Sequence, residues 1–237
     1  MRKLELNVPE SLSEITLKQY QKFIEVSNNN TDDAFVSQKM IEIFCNVSLA
    51  NVVQMKVTSI MELNEHFRKI FDVKPKFKNR FTIDGIEFGF VPNIEDITFE
   101  EYVDIEHYLK DIKDLHKALA IMYRPIKKKQ KDLYEIESKE YGERFSEVLR
   151  YAPLDVVIPA KVFFWSLANE LLKIIPTYLE KEMRKMNKIS QQKGNSTNDG
   201  DGITQSIRSQ MEILRDSIQS LNKDYESALH WLLIRNN

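Results

Sequence analysis

The chain has 237 residues, enough for one large domain or two small ones, each with a buried core. At 42% hydrophobic and 30% charged it has the composition of a soluble globular protein, and 34 basic against 36 acidic residues give no reason to expect a nucleic acid as partner. The single cysteine, Cys45, excludes a disulfide framework and fits a reducing cytoplasm.

The N-terminal MRKLELNVPES has neither an apolar core nor a small-residue cleavage site, so it does not read as a secretory signal. Leu4 to Pro9 alternates apolar and polar residues and predicts a strand. Thr16 and Gln19 then form a capping box that opens a helix, with Ile15 placed to staple onto Tyr20. A second helix carries MIEIFCNV, in which Cys45 reads as a small buried hydrophobe. Ser59 and Glu62 suggest another capping box, opening a helix through about Phe71.

A basic connector containing Pro75 leads to the best turn chemistry in the chain. Asp84-Gly85 predicts a two-residue hairpin over 78–91 that puts Phe81, Ile83, Ile86, Phe88 and Phe90 on one face. A lone ribbon is marginal, so Leu4 to Val8 is expected to pair beside it as a third strand, leaving an outer edge free for a partner strand.

After the hairpin, Thr98 and Glu101 repeat the capping box, with Ile97 and Tyr102 as its staple. A helix through Leu115 to Tyr123 should end at Arg124-Pro125, because the residue before a proline is steered away from helical backbone. The run Lys127 to Lys131 reads as a solvated loop; without interleaved aromatics it makes a poor nucleic-acid groove. Two more helices follow, one from about Tyr141 to Tyr151 and a buried one within Leu154 to Ile175. That last stretch holds Asp155, Lys161, Glu170 and Lys173, too many charges for a membrane span.

The matched boxes and their following helices suggest a weak internal duplication, with units of about 4–75 and 78–186 inside a mostly helical domain, 1–186. The expected fold class is mainly α with a small antiparallel sheet. Residues 187–202 have linker composition, with Ile189 alone apolar. Over 203–237, Ile207, Met211, Leu214, Ile218, Leu221, Tyr225, Ala228 and Leu232 recur at alternating steps of four and three, a heptad seam on a C-terminal amphipathic helix. These residues are the candidate partner-binding stripe, whether against this chain's own body, a second copy or another protein.

Reactive chemistry is not legible. His66, His107, His116 and His230 show no metal-ligand spacing, and one cysteine cannot complete a zinc site. His116 reads as a satisfied boundary residue, and Glu100 and Glu101 as first-turn carboxylates favoured by the helix dipole. No phosphate-cradling glycine loop occurs. The expectation is therefore no enzyme, no cofactor and no metal.

The blocks FTIDGIEFGFVPNIEDITFEEYVDIEHYL, DLHKALAIMYRPI and LDVVIPAKVFFWSLANELL resemble proteins encoded in the tail modules of tailed bacteriophages of Bacteroidetes-type hosts, commonly described as tail assembly chaperones. The resemblance covers about residues 4 to 180 and carries no catalytic residues. It implies a non-enzymatic helper in the host cell cytoplasm that binds the helical tape measure protein and tail tube subunits. The alternative it leaves open is a structural component of the particle: a connector, ring or packaged cargo protein.

Overall fold

The computed structural model describes residues 6–93 and 96–167, and those up to Lys161 belong to one compact unit. The linker 187–202 and the stripe Ile207, Met211, Leu214, Ile218, Leu221, Tyr225 and Leu232 lie outside the described residues.

The architecture is mainly helical with one small antiparallel sheet. Four helices come first: α1 (Leu17–Asn28), α2 (Asp33–Phe44), the single turn α3 (Leu49–Val52) and α4 (Val57–Asp72). Then come β1 (Arg80–Ile83), β2 (Ile86–Phe90), α5 (Phe99–Leu109), α6 (Leu115–Met122), β3 (Tyr123–Gln130) and β4 (Leu133–Ile136). Two short helices, α7 (Lys139–Glu143) and α8 (Ser146–Leu149), lead to a helix that begins at 154 and is still helical at 167.

The Thr16 box forms as the sequence predicts. Thr16 Oγ1 accepts from Gln19 N at 3.3 Å, and Gln19 Oε1 accepts from Thr16 N at 3.0 Å. The two remaining free donors of that first turn go to distant backbone: Leu17 N to Ala152 O at 2.9 Å and Lys18 N to Arg150 O at 2.6 Å. A helix start is thus completed by chain far away in sequence, and none of its first-turn N–H groups is left without a partner. At the other end of this helical pair, Asn46, at φ 55, takes the left-handed conformation that stops α2 after Cys45. The helix opened by Val57 starts two residues before the expected Ser59 box, with Lys56 as N-cap and no side-chain cap bond.

The hairpin is also as expected. Asp84 (φ 48) and Gly85 (φ 81) supply the two positive φ angles of a tight primed turn. Phe81 faces Phe88 and Ile83 faces Ile86, so the predicted five apolar residues share one side. Phe81 stacks on Phe88 at 5.6 Å between ring centroids, while Tyr123 meets Phe81 and Phe90 edge-on at 5.1 Å each. The helical half has its own aromatic centre, where Phe44 packs against Phe23, Phe67 and Phe71 at 5.2, 5.4 and 5.6 Å.

Three expectations need correction. The third strand is not Leu4 to Val8, whose described residues from Leu6 on carry no strand; it is β3, which pairs Phe90 with Tyr123 and Phe88 with Pro125. Consequently the Lys127 to Lys131 run is no loop. It forms most of the exposed half of β3, which pairs with β4 to complete a sheet of order β1-β2-β3-β4. The helix expected over Tyr141 to Tyr151 is broken into α7 and α8, and Gly142 in α7 comes so near α6 that a Cβ there would lie 2.9 Å from Ala120 O. The end of α6 is as expected: helix stops at Met122, and Tyr123 and Arg124 are strand before Pro125.

Each proposed repeat unit holds a boxed helix followed by a second helix, α1 with α2 and α5 with α6. Only the second has a strand ahead of it among the described residues.

Candidate functional site

Three groupings of side chains decide what the described surface and interior can do chemically. The first lies at the second capping box. Thr98 Oγ1 accepts from Glu101 N at 3.2 Å, and Glu101 Oε2 accepts from Thr98 N at 2.9 Å. The other oxygen, Oε1, takes the guanidinium of Arg124, whose Nε also donates to Ile121 O at 3.0 Å. Both side chains are buried, so Glu101 is more than the dipole-favoured first-turn carboxylate its sequence position suggests. Beside it, Lys139 at the start of α7 donates to Asp104 at 2.6 Å and pairs with Glu100 at 3.4 Å. These ions tie α5 to α7 and to the start of β3, and Arg124 adds Ile121 of α6 through its carbonyl.

The second grouping surrounds His116, which is buried. Its Nδ1 lies 3.4 Å from Gln21 Nε2 on α1, and its Nε2 lies 3.4 Å from Glu147 on α8. Gln21 also donates to Ile112 O at 2.8 Å and accepts from Arg150 Nε at 3.3 Å, while Arg150 meets Glu147 at 3.3 Å. Burial holds the imidazole below its ordinary pKa, against the pull of the Glu147 carboxylate in the opposite direction. The neutral ring therefore joins three elements. Sequence reading placed His116 as a satisfied residue but missed its partners, which come from positions too distant to be paired by spacing.

The third grouping is apolar and exposed. Val57 and Met61, one turn apart on α4, are 72% and 65% exposed, and Val53 just before the helix is 55% exposed. The opposite side of α4 buries Phe67 and Ile70. The helix thus exposes apolar side chains in its first two turns while it buries others in its last two, and core packing alone does not require the exposed pair. Sequence reading missed this patch because Met61 fell within the expected Ser59 box.

Cys45 is buried, and desolvation pushes its thiol up to about 11, which makes it a poor nucleophile. Among the described residues no three His, Cys, Asp or Glu side chains gather as a metal ion would need, and no helix is long and apolar enough to cross a membrane. Comparison with protein families, with characterised proteins and with solved structures finds no match for this chain.

Proposed function

We propose that the chain is a non-enzymatic tail assembly chaperone of a tailed bacteriophage, binding helical tape measure or tail tube proteins in the host cytoplasm. The family resemblance suggests the reading. The observation that carries it here is the exposed apolar pair Val57 and Met61, one turn apart on α4, with Val53 exposed ahead of the helix, a surface suited to an apolar stripe of a client helix. The buried polar groups add support from the other side. Glu101, Arg124 and Gln21 are taken up in holding elements together, and His116 sits neutral among partners within the fold. Affinity in such a protein is spread over many shallow contacts, and the heptad pattern of Ile207, Met211, Leu214, Ile218, Leu221, Tyr225 and Leu232 would offer a second apolar stripe of the same kind.

The test is co-expression with the phage's tape measure protein. Val57→Asp with Met61→Asp, or charged residues at Met211, Leu214, Ile218 and Leu221, should return the client to the insoluble fraction. Unchanged client solubility in both variants would overturn the reading. Mass spectrometry of purified particles separates it from the alternative, because a structural component is present at fixed copy number while a chaperone is absent.

A further inference from the structure

We propose that the outer half of the β3–β4 ribbon, Lys127 to Glu135, is a strap that unlatches and melts independently of the hairpin beneath it, with the Tyr134 phenol as its latch. The proposal does not rest on the helix-client reading. β3 changes character along its length. Tyr123 to Pro125 are buried and pair with β2, whereas the strand beyond Ile126 pairs, among the described strands, with β4 alone. Every residue from Lys127 to Leu133 is exposed. The register slips between Ile126 and Lys128, which puts a bulge at the boundary between the two halves. A two-stranded ribbon is marginal by itself, so the order of this one depends on what it touches. Its turn makes the ribbon weaker still, because Lys131 holds φ 56 with a β-carbon to accommodate.

What the ribbon touches is the outer face of the β1–β2 hairpin, the side away from Phe81, Phe88 and Phe90. Gly89 leaves a notch on that face and the Tyr134 ring fills it: a Cβ on Gly89 would stand 2.4 Å from Tyr134 Cε2. From the notch the Tyr134 hydroxyl donates to Phe90 O at 2.7 Å and lies 3.3 Å from Asn79 O. Two ion pairs flank the ring, Lys129 with Glu87 at 2.7 Å and Arg80 with Asp132 at 3.8 Å. Each has an exposed partner, so water screens it and it holds little. The phenol is therefore the main attachment. Segments with few buried apolar contacts and exposed backbone bonds open well below the free energy of global unfolding. Seating or unseating one ring then decides whether the ribbon is ordered, an order–disorder device built on a single side chain.

The experiment is native-state hydrogen exchange on the full 237-residue chain, ¹⁵N-labelled. The amides of Lys128 to Glu135 should exchange as a group, about tenfold or more faster than those of β1 and β2. Tyr134→Phe keeps the ring and loses the donated bonds, and should speed the strap by about a further fivefold. Gly89→Ala, which evicts the ring, should speed it more. In both variants the β1 and β2 amides and the thermal midpoint should stay near native. Added to Tyr134→Ala, Gly89→Ala should change the strap by less than about twofold, because no ring is left to evict. Strap and hairpin amides that exchange within about twofold of each other in the native chain would overturn the proposal, as would a Tyr134→Phe strap that exchanges like the native one. So would a Gly89→Ala effect of equal size with and without the tyrosine, since the glycine would then serve the sheet itself.

Discussion

Thr16 with Gln19 and Thr98 with Glu101 close their helices by the same reciprocal pair of bonds, yet the residue three places in has a different second task in each half of the molecule. Gln19, half-buried and neutral, uses its amide nitrogen to reach Ile43 O at the end of α2, 3.0 Å away. Glu101, buried and charged, uses its free oxygen to hold Arg124 at the junction of α6 and β3. An identical local recipe has been put to different tertiary use, neutral between two helices and ionic where helices meet the sheet. The difference matters energetically, because a neutral tie lost leaves one uncharged carbonyl short of a donor, while an ionic tie lost leaves a buried cation.

The sharpest break in the comparison is Glu101→Ala. It removes the acceptor for Thr98 N and strands the guanidinium of Arg124 on Ile121 O alone. A loss of about 3–5 kcal/mol in chemical denaturation is expected. Glu101→Gln, which turns the second box into a copy of the first, should fall between that variant and the native chain. Gln19→Ala should cost less, about 1–2 kcal/mol, for half a box and one neutral bond. Gln19→Glu should not be neutral, because it sets a carboxylate against Ile43 O where an amide donor stood. If the two alanine variants cost the same, the charge at Glu101 adds nothing beyond the cap.

Next in size, Thr16→Ala and Thr98→Ala isolate what the boxes share. Each removes one hydroxyl that accepts from the backbone N–H three residues on, at 3.3 and 3.2 Å. About 1 kcal/mol is expected from each, equal within error. A clear inequality would mean that the Ala152 and Arg150 carbonyls, which already take Leu17 N and Lys18 N, make the first helix start less dependent on its threonine.

The contrast also explains how much of the fold could be read in advance. Both boxes, the Asp84-Gly85 turn and the five-residue apolar face were legible because each is written within a few residues, in side chains whose local bonding has one good solution. The third strand was not. Only its first residues, Tyr123 to Pro125, are buried, and they follow α6 with no glycine or loop between, so they read as the end of a helix. Its second half, Lys127 to Gln130, is exposed on both faces and offers no apolar alternation. The turn Lys131-Asp132 lacks glycine although Lys131 adopts φ 56, so the hairpin left no turn signature either. The surface candidates were equally hidden: Val57 and Met61 are conspicuous only once Phe67 and Ile70 are known to take the buried side of α4.

A smaller effect, dependent on pH, tests the joint between the two halves at His116. The neutral ring sits between Gln21 of α1 and Glu147 of α8, with Arg150, Lys117 and Asp114 as the other charges acting on it. Burial depresses its pKa in the folded protein, so below the ordinary histidine value the unfolded chain binds the proton more readily. Stability from this group is therefore complete above about pH 6.5 and declines as pH falls toward the depressed folded value. The thermal midpoint should drop between pH 7.5 and 5.5 and should drop less in His116→Gln. A midpoint that rises on acidification would show that the Glu147 carboxylate outweighs burial and that the joint is ionic, like the one at Glu101.

The least effect on stability is expected from Val57→Asp with Met61→Asp. Both side chains are more than half exposed, so the pair should change unfolding free energy by only about 0.5 kcal/mol. That small figure is what gives the substitution its value. On the proposed reading α4 carries Phe67 and Ile70 for the fold and Val57 and Met61 for a client, and a variant that unfolds normally while failing to keep a helical client soluble would separate the two roles on one helix. If instead the double variant loses several kcal/mol, the exposed patch is covered within the chain itself, and the client surface has to be sought away from α4.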